Sequence, residues 1–278
     1  MSTVAILGAG PLGGAIAHAI AEQQAFRDVR LIDERASVAA GKALDLRQMG
    51  PVGRFDTHLT SGGDPLDAAG ADVIVVADRV EGGEWEGEAG LAMVGRLARA
   101  GTRAPFVFAG AAQAWLLRAA AVELKLPADR LVGTAPAALV GAVRAMVALE
   151  VDGAGTDVHV SIVGRPGGLI VAWSAATTGG RLVTDVVPAH RLLAISDGLK
   201  RLWPPGPRAI AAPTAAVARA LVGGSRRLHQ ALCLTDGEFG SRHETVMLPL
   251  AIAPGRIARR VMPALSPQER VQVERHLR

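Results

Sequence analysis

The chain has 278 residues, of which 50% are hydrophobic, and a formal charge of +4 at neutral pH. That is enough apolar chain for a two-lobed protein with a sizeable core, yet no uninterrupted apolar run reaches the roughly eighteen residues that span a bilayer, so no membrane partner is expected. The basic residues are interleaved with acidic ones, tyrosine is absent and aromatics make up 3% of the chain, so a nucleic-acid partner is not expected either.

The N-terminus lacks the basic start of a signal peptide and passes at once into Thr3-Val4-Ala5-Ile6-Leu7, which predicts a buried strand in a cytoplasmic protein. Gly8-Ala9-Gly10-Pro11-Leu12-Gly13 follows, and then a small, apolar stretch from Gly14 to Ala21, so strand, tight turn and helix succeed one another. In this pattern Gly8 permits the turn, Gly10 lets the backbone approach a pyrophosphate, and Gly13 lets the helix pack close to the sheet. The helix N-terminus, opening on Pro11 and Leu12, then faces the phosphates. A second apolar run, Val29–Ile32, ends in Asp33, twenty residues beyond Gly13, where a carboxylate accepts hydrogen bonds from an adenosine ribose and repels a 2′-phosphate. The spacing predicts a Rossmann-type site for NAD rather than NADP, with Gly8, Gly10, Pro11, Leu12, Gly13 and Asp33 as its cofactor-binding residues. A Rossmann domain that keeps its glycines for packing alone is the alternative.

Residues 34–49 have the apolar spacing of a helix, ended by Gly50-Pro51. With the strand before it, this stretch reads LIDERASVAAGKALDLRQMGP, which resembles the second strand and following helix of the L-lactate and malate dehydrogenases. The resemblance continues in order through Ser61-Gly62-Gly63-Asp64, a strand at 71–76, Ala212–Ala218, and Leu234–Gly240, which looks like that family's hairpin turn in the second lobe. It implies an α/β fold: a Rossmann-type doubly wound parallel sheet over residues 1–136 and an α+β substrate-type lobe over 137–278. It also implies NAD as cofactor, a small-molecule substrate and a homo-oligomer. Sheet-like patterns at Val158–Val163 and Arg181–Val187 agree with that plan. Cys233, the single cysteine, sits in an apolar run and is expected in the core, with no disulfide and no metal cluster. Ser266, Pro267 and Glu269 together predict the start of a closing amphipathic helix.

In the family so resembled, a histidine in a GGHGD segment is the acid/base and an aspartate in LDxxRxR orients it. An arginine three residues after that aspartate grips the substrate carboxylate, and another on a mobile loop polarises the carbonyl. The matching positions here hold other residues. Arg165, in Gly164–Leu169, stands in place of the histidine, and a guanidinium does not shuttle protons near neutrality. Leu139 replaces the aspartate and Ala142 the gripping arginine, while Arg144 keeps the second, non-catalytic arginine. The loop after Val76 is shorter than the family's, lacks its arginines and is acidic. Phe108-Ala109-Gly110 stands where the family has TNP.

Nothing else in the sequence fills these roles by spacing. His18 and His159 are read as packing or surface residues, and His190 and His243 fall in less regular segments. Arg165 is read as a surface arginine, with anion binding or carbonyl polarisation as the alternative. The acidic loop is read as solvated or as a subunit contact, with reception of a cationic substrate as the alternative. The expectation is a lactate/malate dehydrogenase-like, NAD-binding oxidoreductase with an altered substrate, no malate or lactate dehydrogenase activity and unassigned catalytic residues. A non-catalytic NAD sensor and a structural subunit of a complex stand as alternatives.

Overall fold

The computed structural model describes residues 2–277. Its first half alternates strands and helices: β1 (Thr3–Leu7), α1 (Pro11–Gln23), β2 (Asp28–Ile32), α2 (Ala36–Gly53), β3 (His58–Gly62), β4 (Val73–Val76), α3 (Gly87–Arg99), β5 (Phe106–Phe108), α4 (Ala114–Val122) and β6 (Leu131–Gly133). These six strands lie parallel in the order β3-β2-β1-β4-β5-β6. The order reverses between β1 and β4, and the loops leaving those two strands therefore lie side by side, where ligands bind in open parallel sheets.

Both faces of this sheet are covered, which is why its strands read as continuous apolar runs rather than as alternating ones. Val4 and Ile6 point into one core with α1 and α2, while Ala5 and Leu7 point into the other with α3 and α4. Ile74 and Val76 follow Ala5 and Leu7, and Val73 and Val75 follow Val4 and Ile6.

The second half begins with α5 (Ala138–Glu150) and continues through short strands β7 (Val158–His159), β8 (Ile162–Val163), β9 (Ile170–Val171), β10 (Thr177–Thr178) and β11 (Arg181–Leu182). Then come α6 (Val183–Val186), α7 (Ala189–Leu199), α8 (Pro207–Gly223), β12 (His229–Asp236), β13 (Arg242–Ala253), β14 (Arg256–Arg260) and α9 (Pro267–Leu277). β12 joins β6 antiparallel at Leu232 and Gly133, and β13 and β14 extend the sheet to nine strands. Helix α8 packs on α1 and closes the face behind the glycine turn. Among the described residues no helix is long and apolar enough to cross a membrane.

Three local expectations need correction. Helix α2 does not stop at Gly50-Pro51 but runs to Gly53 and closes on Arg54, whose N–H bonds Gly50 O. Proline disfavours helix in the residue before it partly through that residue's Cβ, and Gly50 has none. The run 158–163 is broken after His159 into β7 and β8, which pair with different strands. Only Arg181 and Leu182 of the next sheet-like run are extended, because Val183–Val186 turn into a short helix that buries Val183.

Other expectations are met. Cys233 is fully buried in β12, and burial pushes its thiol up to about 12, so it has no role as a nucleophile. The α9 cap has both reciprocal bonds, Glu269 N to Ser266 Oγ (3.3 Å) and Ser266 N to Glu269 Oε2 (2.7 Å).

Candidate functional site

The glycine turn lies where the sequence placed it, between β1 and α1, with Gly8 at φ +113° and Pro11 opening the helix. A Cβ on Gly13 would overlap Gly8 O, so this glycine does set the close approach of helix to strand. Asp33 lies at the end of β2 beside the turn. Its carboxylate points inward and is buried: Oδ2 accepts from Ala9 N (2.8 Å) and Val80 N (2.9 Å), and Oδ1 from Arg35 N (2.9 Å). A carboxylate has about four acceptor sites, so little remains for a further donor.

The amides of the turn are engaged in the same inward manner. Gly10 N donates to Asp78 O (2.8 Å), Leu12 N to Asp78 Oδ2 (3.1 Å) and Gly13 N to Asp78 Oδ1 (2.8 Å). Gly8 N bonds Ile32 O (2.7 Å), Gly14 N bonds Gly10 O (3.0 Å), and Pro11 has no N–H. Every backbone donor from Gly8 to Gly14 therefore has an internal acceptor. The space opened by Gly10 is filled too, because a Cβ there would overlap the Asp78 carboxylate. Lys42, the ammonium nearest the turn, donates to Ala9 O and Gly10 O.

Asp78 belongs to a strap, residues 77–86, folded back over the ends of β1 and β5. Asp78 and Glu84 pair as an antiparallel bridge, and Arg79 N bonds Gly83 O (2.8 Å). The Arg79 guanidinium lies 4.6 Å from the centre of the buried Trp85 ring, a cation–π contact that closes the strap on itself. Its other carboxylate, Glu84, reaches the start of α4: Oε1 accepts from Ala111 N and Oε2 from Ala112 N, both at 2.8 Å. Gly110 leaves the room for it, since a Cβ there would overlap the Glu84 carboxylate. The acidic loop is thus not simply solvated: Glu81, Glu86 and Glu88 are exposed, but Asp78 and Glu84 are half-buried and turned inward. Sequence reasoning saw the charge of this loop and missed its direction.

The positions where a proton donor and a carboxylate grip were sought hold neither. Arg165 is exposed, and its guanidinium makes no hydrogen bond or ion pair among the described residues. Leu139 is buried in the apolar core of the α3/α4 face, and Ala142 lies one turn on in α5. Arg144 is engaged structurally, donating from Nε to Gly155 O (2.9 Å) and from Nη2 to Thr156 O (3.1 Å). His159, His190 and His243 are exposed, and His18 pairs with Glu22 on the outer face of α1.

A family model described as "lactate/malate dehydrogenase, NAD binding domain" matches residues 2–84. A malate dehydrogenase of Thermomicrobium roseum is 30% identical over 294 residues, spanning 98% of this chain and 94% of that protein. The chain belongs to the lactate/malate dehydrogenase family. A malate dehydrogenase of Roseiflexus sp. is 27% identical over 98% of this chain and 94% of its own length. The fold is that of a minor L-lactate dehydrogenase of Enterococcus mundtii (TM-score 0.87, 22% identity, 99% of this chain and 95% of that one). It is also that of a malate dehydrogenase of Salinibacter ruber (TM-score 0.85, 21% identity, 99% and 93%).

NAD is the cofactor of this lactate/malate dehydrogenase family, and the match to its NAD-binding domain covers residues 2–84 of the chain. The backbone of the turn has the right shape for a diphosphate, with its glycines and a helix N-terminus behind them. The donors do not fit one in this conformation, because Asp78 already engages the amides that a diphosphate would need.

Proposed function

We propose that this member of the lactate/malate dehydrogenase family binds NAD and that its substrate is neither malate nor lactate. The observation that carries this reading is the pair Arg165 and Leu139. The first offers a permanent cation to solvent, and the second puts a hydrocarbon in the core at the place of the carboxylate that would orient an imidazole. Reduction of a 2-oxo acid needs a proton for the forming alkoxide and a cation for the carboxylate. With Ala142 in place of the gripping arginine, a 2-oxo acid has no bidentate partner on α5.

In this reading residues 1–136 hold the dinucleotide, through the turn Gly8, Gly10, Pro11, Leu12 and Gly13 and through Asp33. Residues 137–278 shape the substrate side, in a cytoplasmic homo-oligomer. A second reading, a nucleotide-responsive protein without turnover, is favoured by the internally satisfied turn.

The test is NADH formation with malate or lactate and NADH loss with oxaloacetate or pyruvate, each beside an NAD titration by calorimetry. The expected result is nucleotide binding and no turnover of any of the four acids. Turnover of any one of them would overturn the substrate reading. Absence of nucleotide binding would favour the structural-subunit alternative.

A further inference from the structure

We propose that the strap at residues 77–86 is a built-in occupant of the dinucleotide site, which NAD enters only when the strap lifts. The Asp78 carboxylate lies where the diphosphate would be held, and Glu84 engages the start of α4. The inference rests on the NAD-binding role of the N-terminal half and adds the control of its access.

The first support is the donor set. Gly10, Leu12 and Gly13 supply the N–H groups that a glycine turn offers a phosphate, and all three end on Asp78. The second is space. Gly10 and Gly110 are the two positions where a Cβ would strike an acidic side chain of the strap, so each carboxylate has a glycine-made recess. The third is topology. β1 and β4 are neighbours in the sheet, so a residue that follows β4 closely reaches the turn after β1 without any long excursion of the chain.

A carboxylate and a diphosphate cannot share this recess. They would compete for the same amides, and two anions in hydrogen-bond range of one helix start repel each other. Ala77 and Trp85 are buried at the strap's two ends, so the part that lifts is residues 78–84, which also gives up the bond from Val80 N to Asp33. Arg79 and Trp85 hold its two arms together, while Gly82 and Gly83 at its tip and Gly87 at its end adopt φ of +94°, +71° and +55°. Lifting it releases Asp78 and Glu84 together, because the two are bridged through their backbones.

Occupancy of the closed strap lowers the apparent affinity for NAD by the fraction of molecules that are open, so loosening the strap must tighten binding. The experiment is calorimetric titration of NAD into the full chain and into Asp78→Ala, Glu84→Gln and Arg79→Ala, with amide hydrogen exchange on the same proteins without nucleotide. Asp78→Ala is expected to bind NAD about tenfold tighter or more, with faster exchange at Leu12 and Gly13, as expected for loss of a charge-assisted acceptor. Arg79→Ala touches neither recess, and is expected to tighten binding by about two- to threefold through the strap alone. If Asp78→Ala fails to fold, Glu84→Gln and Arg79→Ala carry the same prediction.

Equal or weaker binding in the folded variants overturns the strap and leaves the NAD reading standing. No binding of NAD at millimolar concentration by the full chain or any folded variant overturns both.

Discussion

Two glycine turns of this molecule are built alike and end differently. After β1, Gly8 adopts φ +113° and Gly13 lies against Gly8 O; after β8, Gly164 adopts φ +122° and lies against Gly168 O. Each is tied into a sheet, the second through Gly164 N to Met247 O (3.4 Å) and Met247 N to Gly164 O (2.7 Å). The first turn closes on two carboxylates, Asp33 and Asp78, that take the N–H groups of Ala9, Leu12 and Gly13, and backbone carbonyls take the rest. The second presents Arg165 to water with no partner for its side chain among the described residues. Close backbone contacts together with hydrogen bonds hold both turns in shape. The side chains they present differ: Asp78 faces the amides of the first turn, and Arg165 of the second faces water.

The largest expected effect tests whether the first turn is fixed by sterics. In Gly13→Ala the new methyl would overlap a carbonyl oxygen of the backbone, which cannot swing aside without breaking the β1–α1 junction. A loss of about 3 kcal/mol or more in urea-induced unfolding is expected, at the severe end for overpacking. A loss below about 1 kcal/mol would mean that the turn is loose and that its glycines are kept for some other reason.

Gly168→Ala should cost less, although its Cβ also meets a close neighbour. That neighbour is the His276 side chain on α9, its Cβ as well as its ring, rather than a backbone carbonyl. A loss of about 1–2 kcal/mol is expected, and the double variant Gly168→Ala, His276→Gly, which removes the Cβ as well as the ring, should recover part of it as a coupled pair. Additive losses would show that the second turn is limited by its own backbone, as the first is.

The difference between the turns was only partly legible in the sequence. The strand–glycine–helix pattern with Asp33 at its spacing made the parallel sheet and the glycine turn between β1 and α1 legible, because periodicity and backbone sterics are local properties. The pattern gives Gly10 for approach to a pyrophosphate, whereas the space beside it in the structure holds the Asp78 carboxylate, 68 positions further on. Local pattern cannot place such a partner. The sheet order could have, since a residue just past β4 lies next to the turn after β1, and an acid there faces a row of amides. Helix α2 shows the same limit on a smaller scale, because Gly50 cancels the stop signal of Pro51 only in a helix whose C-cap falls later, at Arg54.

The smallest expected effect on stability comes from the exposed residue of the second turn. Arg165→His replaces an unpartnered, exposed side chain, so unfolding should shift by no more than about 0.5 kcal/mol in either direction. It also puts an imidazole where the sequence resemblance would place the family's acid/base, which makes it a test of the proposed substrate reading. No malate- or lactate-dependent NADH formation is expected. An imidazole acts as a directional base only when a second group fixes its tautomer and orientation, and Leu139 supplies a buried hydrocarbon instead. Adding the carboxylate by Leu139→Asp is no remedy, because an unpaired charge in that apolar cluster would unfold the chain before it served the histidine. Turnover gained by Arg165→His alone would show that the orienting group comes from elsewhere in the second half, and that the two turns differ by one side chain rather than by the whole surroundings of the site.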